Sequence, residues 1–160
     1  MTNSTNSTNS TNSTNSTGSL PADAVFTDVD REVVAAALDA AVPGSVALGA
    51  LDYVEQLLTA LSHEPPRIWA APGAWAGDGP AWLELGPWER QAWAQRIGGW
   101  AEVYQRVIDG SADAGDLRVV HEHACEATYG DPAYGGNRGS AGWQQISFPE
   151  PLFPPARRSS

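Results

Sequence analysis

The run His121-Glu122-His123-Ala124-Cys125-Glu126 holds two of the chain's three histidines and its only cysteine. On a helix His121 and Cys125, four residues apart, share a face, a spacing that metal sites use. His123 lies about 200° around the helix from His121, so one helix cannot offer all three to one ion. The third histidine, His63, is far along the chain, and two ligands fall short of a zinc site's full set. The same pair has the makings of a nucleophile and its base, since neighbouring cysteine and histidine catalyse acyl transfer. Reactive cysteines, however, sit where a helix N-terminus or a positive charge lowers their pKa. Cys125 falls near a predicted helix C-terminus, between Glu122 and Glu126, and both features oppose the thiolate. The pair therefore reads as a small buried cysteine beside a hydrogen-bonded histidine. No catalytic, cofactor-binding or metal-binding residue is assigned, and a small His/Cys metalloprotein is the weakest of the alternatives.

Seven tryptophans in 160 residues raise a second chemistry, the stacking of aromatic faces on sugar rings. Trp93 and Trp100 fit a core role on one helix stripe, and Trp88 caps that helix's start. Trp69, Trp75 and Trp82 fall in a loop, where large aromatics more often mark protein interfaces. A Trp-rich carbohydrate-binding module is thus the main alternative to partner contact.

Gly135-Gly136-Asn137 with Gly139 and Gly142 suggests a phosphate loop at first sight. It matches neither Gly-x-Gly-x-x-Gly nor the P-loop pattern, and no predicted strand precedes it or helix follows it. The glycines more plainly allow positive φ angles, while Pro132, Tyr134, Trp143 and Phe148 supply rigid anchors. Such a segment suits lying in another protein's groove, and equally wrapping its own helices.

The elements that position these residues are helical. Thr27 followed by Asp30 predicts an N-cap with an acidic partner at N3, and Val33, Val34, Ala37, Leu38 and Ala41 recur at helical spacing until Pro43-Gly44. A second helix is predicted over 46–62, with Leu51, Val54, Leu58 and Leu61 as its stripe and Pro65-Pro66 as its stop. The short turn between them predicts an antiparallel hairpin. Residues 68–87 have no usable period and read as an aromatic-pinned Gly/Pro loop. Pro87 suits a helix start, where its missing N–H costs nothing. The third helix, 88–108, aligns Trp93, Ile97, Trp100, Tyr104 and Val107, and Gly98-Gly99 in its middle weakens it while leaving room for a close helix crossing. A fourth, 113–128, turns Leu117, Val120, Ala124 and Thr128 inward. The expectation is an all-α fold of about four helices with an irregular Gly-rich C-terminal arm.

Bulk properties narrow the partners. Residues 2–17 repeat Thr-Asn-Ser and bury nothing, so 1–19 read as a disordered tail, 20–150 as one helical domain and 151–160 as a flexible end. The formal net charge is −10, with nine arginines and no lysine, which argues against nucleic acid. One cysteine excludes an intrachain disulfide. The longest nearly apolar run, around 33–42, is too short to insert in a membrane. Without a basic, apolar-cored leader the expected location is cytoplasmic.

At the arm the chain resembles a known family. Tyr129-Gly130-Asp131-Pro132-Ala133-Tyr134-Gly135-Gly136-Asn137, then Gly142-Trp143 and Phe148-Pro149, are similar to the C-terminal signature of the gluconate 2-dehydrogenase subunit 3 family. Upstream, Phe26-Thr27, Val42-Pro43-Gly44 and the run from Gly49 to Val54 also resemble it. The likeness spans about 25–149 and is loose between Glu64 and Gly110.

The resemblance implies a small, cofactor-free accessory subunit. Its partner would be a large glucose–methanol–choline-type flavoprotein that carries FAD and oxidises gluconate, related sugars or polyols, often passing electrons to a cytochrome c subunit. Catalytic residues would belong to that partner, and the small subunit would support its folding, stability or export. The expected interface residues are Tyr129, Pro132, Tyr134, Gly135, Gly136, Asn137, Trp143 and Phe148 of the arm, with Trp75 and Trp82 of the loop. Many family members begin with a twin-arginine export signal. Here the Thr-Asn-Ser repeat stands in that place, with no arginine before Arg31, so either the complex is cytoplasmic, or the partner carries the signal, or the start assigned to the chain is wrong.

Overall fold

The computed structural model describes residues 25–68 and 83–148, and these are helical with no strand among them. The expected tails, Trp69, Trp75, Trp82 and Pro149 lie outside the described residues. In chain order the helices are α1 (Asp28–Ala41), α2 (Ala50–Leu58), α3 (Pro87–Ile108), α4 (Ala114–Tyr129) and α5 (Ala141–Gln145). Short 3₁₀ turns follow α2 at Ala60–Ser62 and shape the arm at Pro132–Tyr134 and Arg138–Ser140.

Helix starts follow local chemistry. At α1 the Thr27 hydroxyl accepts the Asp30 N–H at 3.2 Å and the Asp30 carboxylate accepts the Thr27 N–H, also at 3.2 Å. These two bonds satisfy donors that every helix start leaves open. Asp113 and Asp116 repeat the arrangement at α4. Pro87 opens α3, and the Glu89 carboxylate accepts the Gly86 N–H at 2.7 Å.

Helix α2 is shorter than the periodicity predicts. Residues 43–49 form successive turns, and Gly49, with φ +99°, redirects the backbone into α2. The buried Ser45 hydroxyl donates to the Leu38 carbonyl at 3.1 Å, sharing that acceptor with the Val42 N–H at 2.9 Å and tying the turn to the end of α1. Helices α1 to α4 all touch one another, and the core joins Val34 and Leu38 of α1, Val54 of α2, Val103 and Tyr104 of α3, and Val120 and Ala124 of α4.

Several predicted inward positions face out. Val33 is at the surface while its neighbour Val34 is fully buried. Leu117 is 52% exposed, because α4 turns Asp116 inward at that level. The Arg106 guanidinium grips that carboxylate with two bonds, 2.8 and 2.7 Å, and holds Asp116 down at about 2. Trp88 is 83% exposed and packs in no core, and Trp93 and Trp100 are half-buried. A methyl group added to Gly98 or Gly99 would meet nothing within 4 Å, so no helix crosses there among the described residues.

Candidate partner-docking site

The arm that follows α4 is folded back against the helices and held by a few buried polar groups. Asn137 is fully buried. Its backbone N–H donates to the Ala127 carbonyl, its side-chain amide donates to the Gly130 carbonyl at 2.8 Å, and its side-chain oxygen accepts the Gly142 N–H at 2.8 Å. One side chain thus joins the end of α4 to the start of α5, giving buried backbone groups the partners they need. Arg138 adds a second attachment: its backbone N–H donates to the Leu48 carbonyl at 3.2 Å and its guanidinium pairs with Asp52.

Close approach explains two of the glycines. A Cβ on Gly136 would overlap the Ala127 carbonyl, and one on Gly142 would overlap the Thr128 carbonyl. Only Gly135 and Gly139 among these take positive φ, +95° and +64°. The arm is also more regular than its glycine content suggests, since α5 forms within it.

This scaffold gathers aromatic side chains at the surface. The Trp143 indole N–H donates to the Tyr129 carbonyl at 2.7 Å, closing the arm onto the last residue of α4. The Trp143 ring lies 5.4 Å from that of Phe148, whose N–H donates to the Trp143 carbonyl at 2.8 Å. Phe148 is 51% exposed and Ile146 52%, and Tyr129 is also exposed. Of the expected interface residues, Tyr129 and Phe148 thus offer open surface, and Trp143, Pro132, Tyr134 and Gly135 are half-buried. Gly136 and Asn137 are buried by this chain itself, so they shape the surface from behind. Ile146 was not singled out by the sequence; its place after a short helix inside a Gly-rich run gave no periodic signal.

The His121–Glu126 run divides differently from its sequence reading. Cys125 is only partly buried and His121 is exposed, with the sulfur 3.7 Å from the nearer ring nitrogen. Burial, then Glu126, pushes the Cys125 thiol up. The buried, hydrogen-bonded histidine is His123: its Nδ1 is 3.0 Å from the Tyr104 hydroxyl, and the Trp100 ring meets it edge-on at 5.0 Å. Desolvation in this pocket lowers the His123 imidazole to about 4, so it is neutral at pH 7. No set of three His, Cys, Asp or Glu side chains among the described residues is placed to hold a metal ion. No described helix is long and apolar enough to cross a membrane.

A polar cleft on the α2 side, of about 370 Å³, is lined by Asp52, Glu55, Gln56, Thr59, His63 and Arg67. Its two carboxylates are already engaged, Asp52 by Arg138 and Glu55 by Arg31. These two ion pairs join α1 and the arm to α2. No protein-family model, curated protein or solved structure matches this chain.

Proposed function

We propose that this chain is a non-catalytic accessory subunit that docks onto a large FAD-dependent dehydrogenase of sugars, polyols or aldonates, as its resemblance to the gluconate 2-dehydrogenase subunit 3 family implies. The observation that carries the proposal is the arm itself. Its signature residues Gly136, Asn137 and Gly142 are spent on rigid attachment to α4, and the arm so held leaves Phe148 exposed on a half-buried Trp143 that is bonded to the carbonyl of the exposed Tyr129. Rigid aromatic side chains at a surface give contact area at small entropic cost, which is why they dominate interface hot spots. FAD, and any onward transfer to a cytochrome, belong to the partner in this reading.

Co-expression with a glucose–methanol–choline-type large subunit from the same genome is the test. A yellow complex should co-purify through the small subunit's tag, and the large subunit alone should be insoluble or inactive. A large subunit that is soluble and fully active without this chain, and does not co-purify with it, sinks the proposal.

A further inference from the structure

The polar cleft beside α2 is built from one helix face and the segment that returns to it. Asp52, Glu55, Gln56 and Thr59 stand at i, i+3, i+4 and i+7, so they line a single side of α2 and its C-cap. His63 and Arg67 close the cleft from the chain that follows. The Arg67 N–H donates to the carbonyl of the buried Ala60 at 2.7 Å, and its neighbours Pro66 and Ile68 are buried. The backbone that carries Arg67 is therefore anchored.

Arg67 differs from every other described arginine. Arg31, Arg90, Arg106, Arg118 and Arg138 each pair with a carboxylate, and Arg96 lies over the rings of Trp93 and Trp100. The Arg67 guanidinium does neither among the described residues, although it lines a cleft. Arg31 and Arg138 already balance Glu55 and Asp52, so the positive charge of Arg67 stands uncompensated on a chain whose net charge is −10. The Gln56 side-chain amide also has no hydrogen-bond partner among the described residues. The Thr59 hydroxyl donates to the Glu55 carbonyl at 2.8 Å, which leaves its lone pairs to accept.

We propose that this cleft binds a small hydroxylated monocarboxylate. One uncompensated guanidinium matches one carboxylate, which it meets with two parallel N–H donors. A dianion such as phosphate would bring a second negative charge against Asp52 and Glu55, whose own cations are already used. The rest of the lining is rich in acceptors, the oxygens of Asp52, Glu55, Gln56 and Thr59, and these suit a ligand that brings hydroxyl donors. A ligand without hydroxyls would displace water from those oxygens and return no hydrogen bond. The cleft volume of about 370 Å³ falls within the range of small-molecule sites. Binding here requires no docked partner.

Titration of the full chain with glycerate, followed by NMR, tests this. The Arg67 Nε–H, the Gln56 side-chain amide and the His63 backbone amide should shift saturably, while α4 signals stay in place. Glycerate should bind at least about tenfold more tightly than propionate, which lacks the hydroxyls, glycerol, which lacks the carboxylate, or inorganic phosphate. Arg67→Gln alters an exposed side chain, so it should melt like wild type and still weaken glycerate at least about tenfold. Arg118→Gln makes the same change of net charge on α4 and should bind as wild type does. Shifts that never saturate, or glycerate bound no better than propionate or phosphate, overturn the proposal without recourse to any variant. An Arg67→Gln chain that binds glycerate like wild type overturns it as well.

Discussion

Asn137 and Gly142 are joined by a hydrogen bond of 2.8 Å from the Gly142 N–H to the Asn137 side-chain oxygen, inside a site fully closed to solvent. Because the Asn137 amide also donates to Gly130, replacing it strands a buried donor, the Gly142 N–H, and a part-buried acceptor, the Gly130 carbonyl. Asn137→Ala should cost about 2–4 kcal/mol, one to two for each orphaned group plus the void. Asn137→Asp should also destabilise, since a carboxylate oxygen would then face the Gly130 carbonyl. Denaturant unfolding with thermolysin cleavage of the arm checks both. Unchanged midpoints with an uncut arm would contradict this account of how the arm is held.

Two arm glycines separate steric from conformational need. Gly142→Ala drives a methyl into the Thr128 carbonyl and should cost at least about 3 kcal/mol, because helix backbone cannot yield. Gly139→Ala meets nothing within 4 Å and suffers only from its φ of +64°, a penalty of about 1 kcal/mol. Equal melting temperatures for the two variants would refute the close packing of α5 on α4.

Gly98 and Gly99 offer the reverse case. Both lie in the interior of α3, at ordinary helical φ, with open space where a side chain would go. Each glycine-to-alanine change should stabilise by about 0.5–1 kcal/mol, raising the melting temperature by about 1–4 °C. A loss of stability on calorimetry would show that something packs there after all.

Acid should loosen the core through His123. Its folded pKa of about 4 lies below the ordinary 6.5, so the unfolded chain binds the extra proton first as pH falls. The contribution is whole above pH 6.5 and fades toward pH 4, by about 3 kcal/mol in all. Glu122 opposes part of the shift by favouring the charged ring. Asp116 acts in a separate, lower window: its pKa is depressed, chiefly by the bond from Arg106, so its stabilisation is lost as pH drops from about 3.8 toward 2. Urea unfolding across pH 4–7 should slope upward with pH for the wild type and much less for His123→Gln. The same slope in both would place the titrating group elsewhere.

At the patch, Phe148 is a cleaner probe of docking than Trp143, whose indole N–H serves the chain's own fold. Phe148→Ala should weaken a complex by about 2 kcal/mol, some thirtyfold in Kd, while barely moving the chain's melting temperature. Trp143→Ala should lower both. Calorimetric binding and melting of the two variants distinguish these patterns, and a Phe148→Ala complex of wild-type affinity would remove that ring from the interface.

Much of the framework was legible from the sequence because it depends on near neighbours. The Thr27–Asp30 box and Pro87 at the head of α3 are features within one helical turn, so residue type and spacing determine them. The choice between Val33 and Val34, the outward turn of Leu117 and the exposure of Trp88 were not legible. Adjacent residues differ by 100° around a helix, and only the packing of α1, α3 and α4 decides which of them meets the core. His123 became the buried histidine because Tyr104 and Trp100, on another helix, close around it. Composition and spacing determined that the chain is helical and acidic, with a distinctive Gly-aromatic arm. Tertiary structure alone decided that Asn137 braces this arm from within while Phe148 stands outside, since burial depends on groups brought together from distant positions.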